Sequence, residues 1–523
     1  MTTNFAVEFL IWILIAASVI AVVAARLRIP YTVALVLGGL ALGSISIHLP
    51  IVETLVSQKP DWLTPNVTLV VFLPALLFEG SLKLQLRQLR ENALPIVLLA
   101  TGGVLVATLV TGFASHWILG LPLLVALVFG AITAATDPIS VLSIFKEMAV
   151  PPQLSITVEG ESLFNDGTAA VLYGILVAGV ASGSLGIWTG IQSFLFEVLG
   201  GIALGGGLGY LFSKLTQRID EPQIEITLTT VLAYSSYLAA QSLHMSGVIA
   251  TVAAGITVGN IGARVGMSPR TRIALWSFWE YFSFVINSLV FLLIGLQVHL
   301  GIFLREWRPV LLAVATVVLG RILSVYGLVP VAGFVTHKIP LRWQHVLVAG
   351  GIRGALALAL ALSLPSNFPY RENLLAMTFG VVAVSIVCQG LAIKPLLRVL
   401  GISGVREDAY ELARVQQIAI SSARSELDDL FRNNVISTPA YDRLRGELDH
   451  RLDQAKAQVA ELYGKDATRI LPEIQLAKMK LLVAEKSSLE EAIHRGLISQ
   501  QHASKMIEAA DQELDRIREK GTS

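Results

Sequence analysis

Charge is scarce through most of this 523-residue chain, and cysteine is all but absent. Charged residues make up 15% of the sequence, where a soluble domain carries roughly 25%. About half of the 39 Lys+Arg and 38 Asp+Glu crowd into residues 401–523. The rest of the chain is therefore too apolar for a soluble domain. It reads as an all-α polytopic membrane domain over 1–400, followed by a charged helical tail over 401–523. With Cys388 alone, no disulfide forms within the chain, and a cysteine-built metal centre has no basis. No GxxxxGK[ST] motif occurs, so nothing supports an ATP-driven pump. No basic segment precedes the first apolar run near Phe5, which reads as a retained membrane helix and not a signal peptide. The tail is slightly acidic, and nothing in it suggests nucleic acid.

What fills residues 1–400 is a series of apolar runs. A bilayer crossing needs roughly 20 apolar residues, and about thirteen runs approach that length. They lie near 5–25, 31–48, 65–81, 94–116, 121–145, 163–182, 187–213, 224–243, 246–262, 278–299, 309–335, 345–363 and 374–397. An odd number puts the two termini on opposite sides. One set of loops then carries Arg26, Arg28, Lys83, Arg87, Arg90, Lys146, Lys214, Arg218, Arg264, Arg270, Arg272, Lys338 and Arg342, the other only Arg305, Arg308 and Arg371. Basic residues accumulate on the cytoplasmic side, which predicts an outside N-terminus and a cytoplasmic tail.

Two runs are interrupted. TAATDPISV (133–141) holds Asp137-Pro138, and proline both removes a backbone donor and disfavours helix at the residue before it. GGIRGALALALALSLP (350–365) gathers three glycines around Arg353. Broken helices in both halves of a chain point to a secondary transporter built from inverted repeats. GGIALGGGLGYL (200–211) reads as a surface for tight helix packing.

Ionisable residues inside spans are expensive and so are candidates for function. They are Glu8, Glu79, Asp137, Glu161, Asp166, Glu197, Glu280, Arg321 and Arg353. The stretch EGESLFNDG (159–167) places Ser162 and Asp166 four residues apart, on one helical face. Glu161 and Asn165 share the neighbouring face. A hydroxyl and a carboxylate offer oxygens to a hard cation. Desolvation disfavours the charged form of a carboxylate, so such a group can hold a proton or a cation in turn. The competing reading is a helix N-terminus capped by acidic residues. At the proline break, Asp137 can cap the following half-helix, and the Thr136 carbonyl is free to meet a cation. Glu79, in FLPALLFEGS (72–81), reads either as a further ligand or as a carboxylate at the cytoplasmic edge. Arg321 and Arg353 need buried anions, and Glu161 suits one of them without the sequence saying which.

TDP, EGESLFNDG, GGIRGALAL and FLPALLFEGS, at these separations, make residues 5–400 resemble the monovalent cation:proton antiporter family of the NhaP/NHE type. The resemblance implies a homodimer. Each protomer would have a dimerisation domain and a core domain holding two crossed, broken helices. It implies Asp166 as the carboxylate that binds Na⁺ and H⁺ in turn, with the Thr136 backbone, Ser162 and Glu79 as further Na⁺ ligands and Asp137 essential at the break. Glu161 becomes half of an ion pair with Arg321 or Arg353. Relatives with Asn-Asp, as at Asn165-Asp166, are mostly electroneutral, exchanging one cation for one proton. Transported ions and the bilayer are the partners, and no cofactor is implied. A cell membrane, of bacterial inner-membrane type, is the expected location. K⁺ or several monovalent cations remain the alternative substrates. In the tail, 413–431, 441–462 and 473–495 read as amphipathic helices.

Overall fold

The computed structural model describes residues 3–27, 29–45, 68–184, 186–216, 219, 221–297, 307–333, 339–402, 409–433 and 435–463, together with 481, 482, 488 and 506. The chain divides into two compact units, Met1–Gly404 and Val405–Ser523.

In the first unit the order is α1 (Thr3–Leu27), α2 (Tyr31–Ile45), α3 (Leu73–Lys83), α4 (Leu86–Glu91), α5 (Ala93–Leu119), α6 (Leu123–Ala134) and α7 (Ile139–Glu147). There follow α8 (Pro152–Ser182), α9 (Ile187–Thr216), α10 (Pro222–Ser242), α11 (Gly247–Thr257), α12 (Pro269–Gln297) and α13 (Trp307–Ala332). The unit closes with α14 (Leu341–Ala349), α15 (Ala355–Leu362) and α16 (Arg371–Val399). Seven helical passages among the described residues are long and apolar enough to cross a bilayer, α6 and α7 counting as one, and three shorter apolar helices accompany them. The chain is an all-helical, multi-pass membrane protein.

Side-chain size sorts these helices. Helix α9 buries few of its residues and turns Trp188, Leu195, Phe196, Leu199, Tyr210 and Leu211 outward, as a lipid-facing helix does. Its inner face is a stripe of Gly201, Gly205 and Gly209, one per turn, set against the backbone of α11. A Cβ at Gly201 would lie 2.9 Å from the Ser246 carbonyl, one at Gly209 2.9 Å from that of Ala254, and one at Gly205 would collide with that of Ala250. The glycine run thus serves close helix packing. Elsewhere the interior is filled by Trp279, Phe78, Phe129, Phe145 and Phe291, all below 2% exposed.

Helix α8 departs from the sequence-based span. An apolar start at 163 was expected, yet one helix of 31 residues begins at Pro152. EGESLFNDG therefore lies in the middle of a helix and caps nothing. The carboxylates at 159–166 set the expected apolar start after them. They are accommodated because Glu161 is ion-paired and the others face a cavity. Glu8 belongs to α1, but its side chain lies outside the described ones, as do the ends of several predicted spans.

In the second unit α17 (Ala409–Arg432) and α18 (Thr438–Tyr463) form an antiparallel hairpin. Ile420, Leu452 and Ala455 make its seam. Arg424–Asp449 at 3.2 Å and Arg445–Asp428 at 3.4 Å bridge the pair, and Tyr441 donates to Asp428 at 2.7 Å. Of the helix expected over 473–495, only 481, 482 and 488 are described, and all three are helical.

Candidate functional site

The site is built where two interrupted helices meet. Helix α6 ends at Ala134 and α7 begins at Ile139, so 135–138 runs unwound; α14 ends at Ala349 and α15 begins at Ala355, so 350–354 does too. Pro138 has no N–H to continue the helical ladder, and the glycines at 350, 351 and 354 let the backbone approach its neighbours. The Asp137 N–H donates to the Ile352 carbonyl at 2.7 Å, joining the two breaks directly. A Cβ on Gly354 would collide with the Asp137 side chain.

Unwound backbone inside a membrane must find partners within the protein. Most of the partners at the first break come from α8. The Thr136 N–H donates to Asn165 Oδ1 at 3.4 Å, and Asn165 Nδ2 donates to Thr136 Oγ1 at 2.7 Å. Ser162 Oγ donates to the Thr136 carbonyl. Asp137 Oδ1 accepts the Ile139 N–H at 3.0 Å, capping α7.

Glu161, on the next face of α8, forms a bidentate pair with Arg321 of α13, Nη2 to Oε2 being 2.9 Å. Arg321 Nη2 and Nε also donate to the Leu347 carbonyl of α14, at 2.8 and 3.2 Å. Both side chains are buried, and every oxygen of the carboxylate is used, the condition under which a buried pair is tolerated. Arg353 lies within electrostatic reach of this pair without bonding to it. Among the described residues it forms no ion pair: Nη1 donates to the Gly351 carbonyl at 2.7 Å, its N–H to Ser385 Oγ at 3.0 Å, and Nε is buried without a partner. Glu161 meets Arg321, and the second arginine braces the break it belongs to.

A cavity of about 130 Å³ opens between α3, α8, α12 and the two breaks. Glu79, Thr136, Asp137, Ser162 and Asp166 all line it. Asn165 is turned to the Thr136 side and pins the break. Asp166 Oδ1 is buried and accepts no hydrogen bond from the described residues. Glu79 is instead held on two sides, by the Lys83 ammonium at 2.5 Å and by Ser283 Oγ, which donates at 3.4 Å.

Three more polar residues line the cavity that motif reading left out: Glu159, Ser283 and Asn287. Glu159 sits seven residues, two turns, before Asp166 on the face that also carries Ser162. Ser283 and Asn287 are four apart within FSFVINSLVF of α12, a spacing that would have signalled one polar face. Chemically the cavity sets carboxylate, hydroxyl, amide and carbonyl oxygens around a small space. A carboxylate oxygen with no donor there calls for a proton or a cation.

Comparisons with known proteins identify the family and the fold. Residues 13–399 match the family model described as sodium/hydrogen exchanger, transmembrane. The chain is 37% identical over 507 residues to the Na(+)/H(+) antiporter NhaG of Bacillus atrophaeus, covering 94% of each protein. It is 38% identical over 403 residues to the Na(+)/H(+) antiporter NhaH of Halobacillus dabanensis, 76% of this chain and 98% of that one. In fold it resembles the sodium proton antiporter MjNhaP1 of Methanocaldococcus jannaschii, with a TM-score of 0.62, 22% identity, and coverage of 77% of this chain and 100% of that one.

Proposed function

The chain belongs to the sodium/hydrogen exchanger family, transporters and not enzymes, and from that premise we propose that it exchanges Na⁺ for H⁺ at Asp166. The observation that carries the reading is the partnerless, buried Oδ1 of Asp166 beside the unwound 135–138 backbone. Proton and cation compete for it. Ser162 Oγ and the Thr136 carbonyl, now bonded to each other, sit where both oxygens can turn to a Na⁺. Glu79 supplies a further ligand. Asp137 caps α7 and places negative charge within reach of Asp166. Asn165 fixes the break without adding a charge, which favours one Na⁺ for one H⁺. Glu161 and Arg321 hold the site's scaffold, with Arg353 bracing the second break.

A loaded site is neutral and crosses; an empty one is charged, and desolvation holds it back. Alternating access follows if a core domain containing the two crossed breaks moves past a dimerisation domain in an elevator-like step, with two protomers per assembly. We propose thirteen crossings, an outside N-terminus and a cytoplasmic tail from Val405, in a cell membrane. The loop charges described above support that orientation.

The test is exchange in proteoliposomes that enclose a pH-sensitive dye. Na⁺ added outside alkalinises the lumen with wild type, and the response is absent with Asp166→Asn. Response to K⁺ but not Na⁺ replaces the substrate. Exchange that persists in Asp166→Asn removes Asp166 from the role.

A further inference from the structure

Glu79 lines the cavity but is already held by neighbours. Its Oε1 lies 2.5 Å from the Lys83 ammonium one turn along α3, and its Oε2 accepts from Ser283. Ser283 Oγ in turn accepts from Asn287 Nδ2 at 3.4 Å. That leaves Asn287 Oδ1 without a donor among the described residues, on a side chain 96% removed from solvent that lines the same cavity. Glu159 lines the cavity as well, within electrostatic reach of both Glu79 and Lys83. Two carboxylates, a hydroxyl and an amide oxygen thus line one cavity, and the Lys83 ammonium holds one of those carboxylates. That ammonium is a monovalent cation attached to the chain.

We propose that Glu79, shared with the Asp166 site, forms with Glu159, Ser283 and Asn287 a second monovalent-cation position between Lys83 and Asp166, for which the Lys83 ammonium is a tethered competitor. This rests on the reading of Asp166 as the exchange carboxylate, which an arriving cation reaches next. With both carboxylates ionised, they and one ammonium leave one negative charge, enough to draw in a single Na⁺. The entering ion displaces Lys83. The lysine side chain is 42% exposed against 16% for Glu79, so it has water to swing into. Glu280 of α12, also within its electrostatic reach, receives it. When the cation departs towards this side, Lys83 returns and neutralises Glu79 again. Lysine therefore weakens cation binding from its own side and assists release there. Glutamine at 83 keeps the length and loses the competitor. Arginine keeps the competitor.

The test is the half-saturating Na⁺ concentration for exchange by the full-length chain in proteoliposomes, with Na⁺ supplied from either side. Lys83→Gln lowers it about fivefold from the Lys83 side, the scale of a half-exposed ion pair. Lys83→Arg stays near wild type, and Glu159→Gln raises it by a similar factor. Unchanged or oppositely shifted values in Lys83→Gln and Glu159→Gln overturn the second position. Should Lys83→Gln fail to elute as folded protein, Glu159→Gln decides alone. Asp166→Asn, run in parallel, separates the outcomes. Lost exchange there with no shift at 83 and 159 rejects only the second position, whereas retained exchange rejects the reading beneath it.

Discussion

At the scale of single residues, competition at one carboxylate has a distinctive signature. With Asp166 as the exchange carboxylate proposed above, protons would displace Na⁺ from it without removing the capacity for transport. The half-saturating Na⁺ concentration therefore rises as pH falls, approaching about tenfold per pH unit, while the rate at saturating Na⁺ holds. Dye-loaded proteoliposomes at stepped pH measure both quantities. Asn165 acts differently, as a pin. Alanine there strips the Thr136 N–H of its acceptor and Thr136 Oγ1 of a donor. A buried, unmet backbone group costs about 1–3 kcal/mol. Asn165→Ala is expected to melt earlier and exchange more slowly, with its Na⁺ half-saturation changed less than its maximal rate.

At the scale of elements, the Glu161–Arg321 pair fastens α8 to α13 and, through the Leu347 carbonyl, to the first half of a broken helix. Arg321→Ala leaves a buried carboxylate alone, a loss of about 3–5 kcal/mol, and should appear as a marked drop in melting temperature and in folded yield. Gly354→Ala drives a methyl into Asp137. Its exchange should fall well before its melting temperature does, since the strain sits at the contact between the breaks. Both breaks were legible in the sequence, because Pro138 and the glycines at 350, 351 and 354 have direct backbone consequences. The start of α8 was not: local charge density hid a helix that tertiary pairing permits. Which arginine meets Glu161 was equally hidden, since the choice depends on where α13 and α14 pack. Ser283 and Asn287 look like incidental polar residues until α12 turns them to a cavity lined mostly from elsewhere.

At the scale of the whole molecule, charge counting at the site predicts electroneutral exchange. Clamping the membrane voltage with valinomycin and K⁺ should leave the initial rate unchanged. The division at Gly404 suggests a second test. The NhaH relative is matched over 98% of its length by only 76% of this chain. A chain ended after Gly404 is expected to retain Na⁺-dependent alkalinisation in the same assay.

The buried pair also has a history within each molecule. Glu161 and Arg321 are 160 residues apart, so the carboxylate leaves the ribosome long before its partner exists. An acidic group at the centre of an inserting helix costs about 2.5–3.5 kcal/mol on the insertion scale. Until α13 supplies Arg321, that cost weighs against the insertion of α8. The pair thus bears on how α8 enters the membrane as well as on how the folded unit holds together.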